Sequence, residues 1–263
     1  MYSKEHLVFL KKEKRARVLV IINQILILLF LLIIWEVLSR VGVINTFLFS
    51  SPSNIIKTIS NLYKSSDLFN HICITTYETA LSFIIASILG IGIATILWWN
   101  KFISRVIDPY LTVLNSLPKV ALGPLIIVWI GAKVNSIIIM ALMISVITCI
   151  INIYNGFINT DKNYIKLLKS MNASKLQIFL KIVFPSNIGN IINTSKINIS
   201  LSFIGVIMGE LLVSKRGLGY LIMYGSQVFN INLVISSIFM LGVLSYIMYY
   251  IVYYIEKRTT KNR

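Results

Sequence analysis

The chain has 263 residues, 57% of them hydrophobic and only 13% charged. Soluble domains carry about 25% charged residues, so this chain cannot cover itself with polar surface in water, and lipid is its expected solvent. Its 25 Lys and Arg against 9 Asp and Glu give a formal charge of +16, but these residues lie in the gaps between apolar runs, and no polar segment is large enough to form a nucleic-acid-binding surface.

Residues 1–17 form a basic tail with six Lys and Arg. The apolar run 18–38 has 21 residues, too long for the apolar core of a cleaved leader. No small-residue cleavage site follows it, so it reads as an anchored first span. A helix rises about 1.5 Å per residue and the hydrocarbon layer is about 30 Å thick, so a span needs about 20 apolar residues. Further runs at 72–99, 107–131, 135–156, 188–213 and 233–255 bring the number of spans to six. They are continuous instead of alternating in tens, which favours helices over barrel strands. The expected fold is an all-α integral membrane protein, a six-span helical bundle over 18–255, with a second basic tail at 256–263.

Within the second run, Ser82, Ala86, Gly90 and Ala94 recur every four residues, a small-residue stripe that lets helices approach closely in lipid. In the third, Asp108-Pro109 reads as a helix start, and Pro118 and Gly123-Pro124 interrupt the rest of the run. Either a kinked packing helix or a broken helix lining a pathway fits that pattern. The two cysteines, Cys73 and Cys149, each lie within an apolar run and imply neither a disulfide framework nor a metal site.

The connection 157–187 carries two short amphipathic patterns. Tyr164, Leu167, Leu168 and Met171 mark the first; Leu176, Phe179, Leu180 and Val183 mark the second. Ser174 and Gln177 have capping-box spacing, Asn172 falls at the break where a left-handed residue is needed, and Pro185 closes the pattern. Such a pair suits a groove on a soluble partner or a position on the membrane interface. In the fifth run, Asn193, Lys196, Ser200, Phe203, Ile207 and Glu210 form one stripe. Glu78, Lys119, Lys196, Ser200 and Glu210 are the candidates for a translocation path, since intramembrane charges face a bundle interior or a cavity; otherwise each pairs with a neighbouring helix. Lys196 and Glu210 are about 21 Å apart along the helix and cannot pair directly. His6 and His71 read as interface residues.

Seventeen Lys and Arg flank one side of the six spans and six flank the other. The positive-inside bias therefore places both termini and the 157–187 loop in the cytoplasm, in a multi-pass protein of the cell membrane.

The spacing from Asn172 through Ile182 to Phe184-Pro185 resembles the EAA loop of ATP-binding-cassette importer permeases, in consensus E-A-A, three residues, Gly, nine residues, Ile, one residue, Leu-Pro. The resemblance extends over 49–257. It includes "SSPSNIIKTI", "IDPYLTVLNSLPKVALGPLIIVWIGAK" and "MGELLVSKRGLGYLI", segments similar to the branch that handles nitrate, sulfonates, taurine and thiamine-precursor pyrimidines. It implies a cytoplasmic coupling-helix loop between spans four and five that docks on the ATPase, with Lys166, Leu167, Leu168, Met171, Asn172, Ala173, Ser174, Phe179, Ile182 and Pro185 as its residues. It also matches Lys196 and Glu210 to the family's basic and acidic positions in the fifth span. The sequence departs from the consensus in having Lys166 at the acidic position, Asn172 at the Gly, and Phe184 at the Leu. The implied partners are two ATPase subunits, an extracytoplasmic solute-binding protein and a second permease copy, within membrane lipid. The implied cargo is a small, anionic solute moved by alternating access. No phosphate-binding GxxxxGK[ST] loop, nucleophile–base–acid set or histidine cluster is present, so neither an enzyme activity nor a cofactor is expected. The alternative, a carrier or channel that needs no ATPase, predicts repeat symmetry or paired intramembrane carboxylates, and neither is visible in the sequence.

The charge distribution makes a topological prediction. In a cysteine-free background, a cysteine placed near Ser51 should react with an impermeant thiol reagent from outside. One placed near Thr160 should react only after the membrane is opened. The reverse pattern would sink the six-span arrangement.

Overall fold

A computed structural model describes residues 4–261, so the extreme ends of both basic tails, 1–3 and 262–263, lie outside the described residues. The described chain is helical, without strands. α1 (Lys4–Arg40) runs without a break from the basic tail through the first apolar run. The backbone shows no break at the tail boundary expected at residue 17. Short α2 (Thr46–Phe49) leads to α3 (Pro52–Lys64), an amphipathic helix within a segment expected only to connect spans. Ser51 caps α3 through the Asn54 N–H, and Pro52 stands in its first turn. Glu36 of α1 pairs with Arg40 at 2.7 Å and accepts the Ser53 N–H at 3.1 Å, tying the end of α1 to the start of α3.

α4 (Asp67–Trp99) is followed by α5 (Lys101–Ser116), a 3₁₀ turn (Lys119–Leu122) and α6 (Gly123–Ile130). The helix start expected at Asp108-Pro109 is corrected: α5 begins eight residues earlier. There Asn100 Oδ1 accepts the Phe102 and Ile103 N–H groups, which leaves Pro109 inside the helix. Pro118 does break the segment, because the residue before a proline is pushed out of helical geometry and Leu117 is extended. The axis turns by 85° there. Gly123-Pro124 is not a second interruption, since it opens α6.

The remaining elements are α7 (Val134–Ile158), α8 (Lys162–Ser170), α9 (Lys175–Ile178), a π turn (Phe179–Val183), α10 (Phe184–Ser186), α11 (Ile188–Val213), α12 (Leu218–Gln227) and α13 (Ile231–Lys261). Five helices are long and apolar enough to cross a membrane, and the bent pair α5–α6 makes a sixth if it is one span. Packing decides that it is. Gly90 of α4 meets Cys149 near the end of α7, whereas Gly209 of α11 meets Ile137 near the start of α7 and Thr75 of α4 bonds Glu210 of α11. α4 and α7 are thus parallel, and the chain between them must cross once. Both described chain ends and the 157–187 segment therefore lie at one end of the bundle, here called the loop end.

The core is built around α7, which packs most extensively on α11 and α4. Ser82, Ala86 and Ala94 are fully buried in α4 as the small-residue stripe requires, and a Cβ at Gly90 would collide with the Cys149 side chain. On the other flank a Cβ at Gly205 would fall onto the Ala141 backbone. α12 and α13 close a separate apolar cluster containing Phe203, Leu218, Leu233, Leu241 and Met248. α1 stands apart, with none of its apolar span window buried.

This packing gives a contrast that thermal unfolding in detergent can read. Gly205→Ala drives a methyl into backbone and should cost about 1–3 kcal/mol. Gly242→Ala has nothing within 4 Å and should fall within about 0.5 kcal/mol of the parent. Equal unfolding temperatures for the two variants would mean that the α7–α11 approach does not limit stability.

Candidate functional site

The loop end carries a helical hairpin. α8 is capped by Asp161, whose side chain accepts the Asn163 N–H. It ends in a Schellman motif: Ala173 N–H bonds to Leu168 C=O at 3.0 Å, Asn172 N–H bonds to Lys169 C=O at 3.0 Å, and Asn172 adopts φ +56°. Ser174 and Gln177 form the expected capping box of α9. Pro185 does not close the pattern. It has no N–H and its ring would press on a carbonyl one turn back, and the backbone meets this by widening into the π turn and continuing as α10.

This hairpin has two faces, and they divide the residues expected to couple to a partner. Ile178, Phe179 and Val183 are buried against Ala94, Cys149, Ile153 and Phe157 of α4 and α7, with Leu168, Ala173 and Phe184 packed at the edge. The Phe179 ring lies 5.0 Å from Trp98 and 5.5 Å from Phe157, centroid to centroid. Tyr164, Leu167, Met171, Leu176 and Leu180 point away, 53–71% exposed. The expected apolar faces are therefore split: Leu168 and Phe179 anchor the hairpin, while Leu167 and Met171 form its tip. Lys166 and Ser174 are exposed, and Ile182 and Pro185 are half-buried.

At the opposite end lies a buried polar cluster. Glu210 and Glu78 are each 1% exposed. Glu210 Oε1 accepts the Thr75 hydroxyl at 2.6 Å and Oε2 accepts the Gly219 N–H at 2.6 Å. Thr75 Oγ1 in turn accepts the Leu218 N–H at 2.9 Å, and His71 Nδ1 accepts the Gly217 N–H at 2.9 Å. Three successive backbone donors at the start of α12 are thus taken by α4 and α11, where a carboxylate also suits the positive end of a helix. Gly217 has φ +106°, and a Cβ there would overlap the Glu210 carboxylate. Glu78 of α4 is the neighbour of Glu210 in this cluster, and its Oε2 is buried without a hydrogen-bond partner.

The other path candidates lie elsewhere. Lys119, at the break, donates to Asn115 Oδ1 at 3.2 Å, and Asn115 also accepts from Thr148 at 3.3 Å. Lys196 donates to Asn193 Oδ1 at 3.3 Å and lies 5.4 Å from the Tyr253 ring centroid. Ser200 lies beside Ser245 and Met248. The stripe from Lys196 to Ile207 thus packs on α12 and α13, and the five candidates do not converge on one cavity. Sequence reasoning missed His71 and Thr75, which sit one helical turn apart in the second span. It also missed a groove of about 350 Å³ at the loop end, lined by Asn152, Asn155, Asn159, Asn190, Asn193 and Thr194. Asparagines at 152, 155 and 159 share a helix face, a signal that was available in the sequence.

A family model described as "binding-protein-dependent transport system inner membrane component" matches residues 84–261. The SsuC protein of Bacillus subtilis (strain 168), named for aliphatic sulfonates transport, is 27% identical over 230 residues, which cover 88% of this chain and 83% of its own. The formylaminopyrimidine transport permease protein ThiX of Halalkalibacterium halodurans is 28% identical over 219 residues, covering 83% of this chain and 87% of its own. Among solved structures, an inward-facing conformation of the MetNI methionine ABC transporter aligns with a TM-score of 0.65 at 16% identity, over 73% of this chain and 95% of that chain. At that identity the likeness is one of fold alone.

The polar cluster makes Glu210 a latch that can be tested apart from transport. Glu210→Ala removes the acceptor for the Gly219 N–H and should cost about 3 kcal/mol, the scale for buried hydrogen bonds to a charged group. Glu210→Gln keeps an acceptor of the same size and should cost clearly less. Thermal unfolding in detergent checks both, and an Ala variant as stable as the parent would show that the latch contributes nothing.

Proposed function

Because this chain belongs to the family of binding-protein-dependent transport system inner membrane components, it is an importer permease, and we propose that it moves a small polar, anionic solute by alternating access driven by two ATP-hydrolysing partner subunits. The observation that carries this reading is the two-faced hairpin. Five large apolar side chains stand exposed at its tip, a patch of the kind that marks a protein contact, while its base is packed into α4 and α7. Force applied at the tip therefore reaches the spans through buried aromatic contacts instead of through a flexible link. Lys166 places a positive charge on that tip.

In this reading the loop end faces the cytoplasm, as the basic residues favour. An extracytoplasmic solute-binding protein delivers the solute at the opposite end, and a second copy of the permease completes the pathway. The amide groove between α7 and α11 supplies uncharged donors and acceptors near the exit, and Lys119 with Asn115 supplies the positive charge that attracts an anion. The sulfonate named for the Bacillus relative is a solute of this class. Glu78 and Glu210 do form the carboxylate pair expected of an ATPase-independent carrier. The contacts of Glu210 with Gly217 and Gly219, and its part in fixing α12, favour a structural latch.

Ser51 and Thr160 are themselves buried, so thiol labelling of the topology is best read at exposed Ile56 and Asn163 nearby. The coupling reading is tested at Asn172, whose left-handed backbone accepts Gly readily and a β-branched residue badly. Asn172→Gly should preserve folding and coupled transport. Asn172→Ile should destabilise the turn by about 1–3 kcal/mol and reduce co-purification of the ATPase subunit and stimulated ATP hydrolysis, while binding of the loaded solute-binding protein persists. Normal transport by the Ile variant would remove the hairpin from the coupling path.

A further inference from the structure

We propose that a basic pocket beside the coupling hairpin binds the phosphodiester headgroup of an anionic phospholipid. The pocket has a volume of about 680 Å³ and lies between the end of α4, the start of α5, the end of α7 and the hairpin. Five cations line it: Lys101, Arg105, Lys162, Lys169 and Lys175. None of them has an acidic partner among the described residues. Five like charges around one cavity repel one another, and an anion placed among them relieves that repulsion while gaining charge-assisted hydrogen bonds.

Position and lining select a lipid over a soluble anion. The pocket starts where the apolar span of α4 ends at Trp99 and the first basic residue, Lys101, follows. Trp98 and Tyr154 line it, and residues of this type sit at the headgroup level of a bilayer. Lys175 is folded back over this boundary, donating to the Trp99 carbonyl with its Nζ 5.7 Å and 5.5 Å from the Trp98 and Trp99 ring centroids. Tyr154 is hydrogen-bonded to the buried Ser104 hydroxyl, which fixes the wall opposite. Ile158 lines the pocket at 45% exposure, and Phe102 and Val106, beside the two basic residues of α5, are 75% and 47% exposed. Acyl chains attached to a headgroup in the pocket would run along this apolar face. Basic pockets between spans at a cytoplasmic boundary are recognised lipid sites in general. The site adjoins the hairpin base, so its occupant would brace the segment that the coupling reading uses, although lipid binding itself does not depend on that reading.

The test uses the permease assembled with its ATPase partner in nanodiscs. With tryptophan-free ATPase and scaffold proteins, Trp35→Phe and Trp129→Phe leave Trp98 and Trp99 as reporters, since the permease chain has four tryptophans. Acyl-brominated phosphatidylglycerol should quench their emission at a lower mole fraction than acyl-brominated phosphatidylcholine. Combining Lys101→Gln, Arg105→Gln and Lys169→Gln should weaken that preference by about a hundredfold, at about fivefold per charge removed. The charge-preserving set Lys101→Arg, Arg105→Lys and Lys169→Arg should retain it, which separates loss of charge from misfolding. Equal quenching by the two lipids in the parent protein would overturn the proposal. So would displacement of the brominated lipid by millimolar inorganic phosphate, which would make this a soluble-anion site. An unchanged lipid preference in the neutralised variant, accompanied by loss of the ATPase subunit, would assign the cations to the protein partner instead.

Discussion

The arrangement rests on the close approach of α4 and α11 to the two flanks of α7. Lipid offers no hydrophobic drive for helices to associate, so the contact must come from close packing and from polar pairs. Gly90 against Cys149, and Gly205 and Gly209 against Ala141 and Ile137, supply the first. Because these contacts lie at different heights along α7, they fix its direction relative to both neighbours. They therefore also fix the passage of the broken α5–α6 segment through the bundle.

Each end of this three-helix unit then carries a different device. At one end, the ring of Phe179 is wedged among Trp98, Phe157 and Phe184, so the hairpin is seated on α4 and α7 together. At the other, Glu210 and Thr75 bind the first donors of α12 and hold that helix across α4 and α11. The hairpin is thus packed on α4 and α7, and α4 with α11 also organises the opposite end. The π turn accommodates Pro185 in the first turn of the short α10, and a turn at Asn187 then leads into α11.

Two acidic residues of the spans are enclosed by the protein itself. Glu210 and Glu78 are both buried, and the partners of Glu210 are the Gly219 N–H and the Thr75 hydroxyl. Among the polar groups that face open space at the loop end are amides and basic side chains. The amides line a groove between two spans, and the lysines cluster where the spans leave the hydrocarbon.

Local sequence was enough to find the long apolar runs that form the spanning helices and the turn at Asn172 with its Ser174–Gln177 cap. Each of these depends on residues close together in the chain: a span on the length of an apolar run, a turn on one left-handed residue, a cap on two side chains three apart. The start of α5 escapes sequence reading for the same local reason, since Asp108-Pro109 carries a helix-start signature that the earlier cap at Asn100 overrides. Packing alone reveals that Glu210 of α11 meets Thr75, 135 positions earlier, that the hairpin's apolar residues divide between an anchoring and an exposed face, and that five scattered cations surround one pocket. Those outcomes depend on which helix faces meet, and in a chain this uniformly apolar the hydrophobic pattern does not distinguish a face turned to lipid from one turned to another helix.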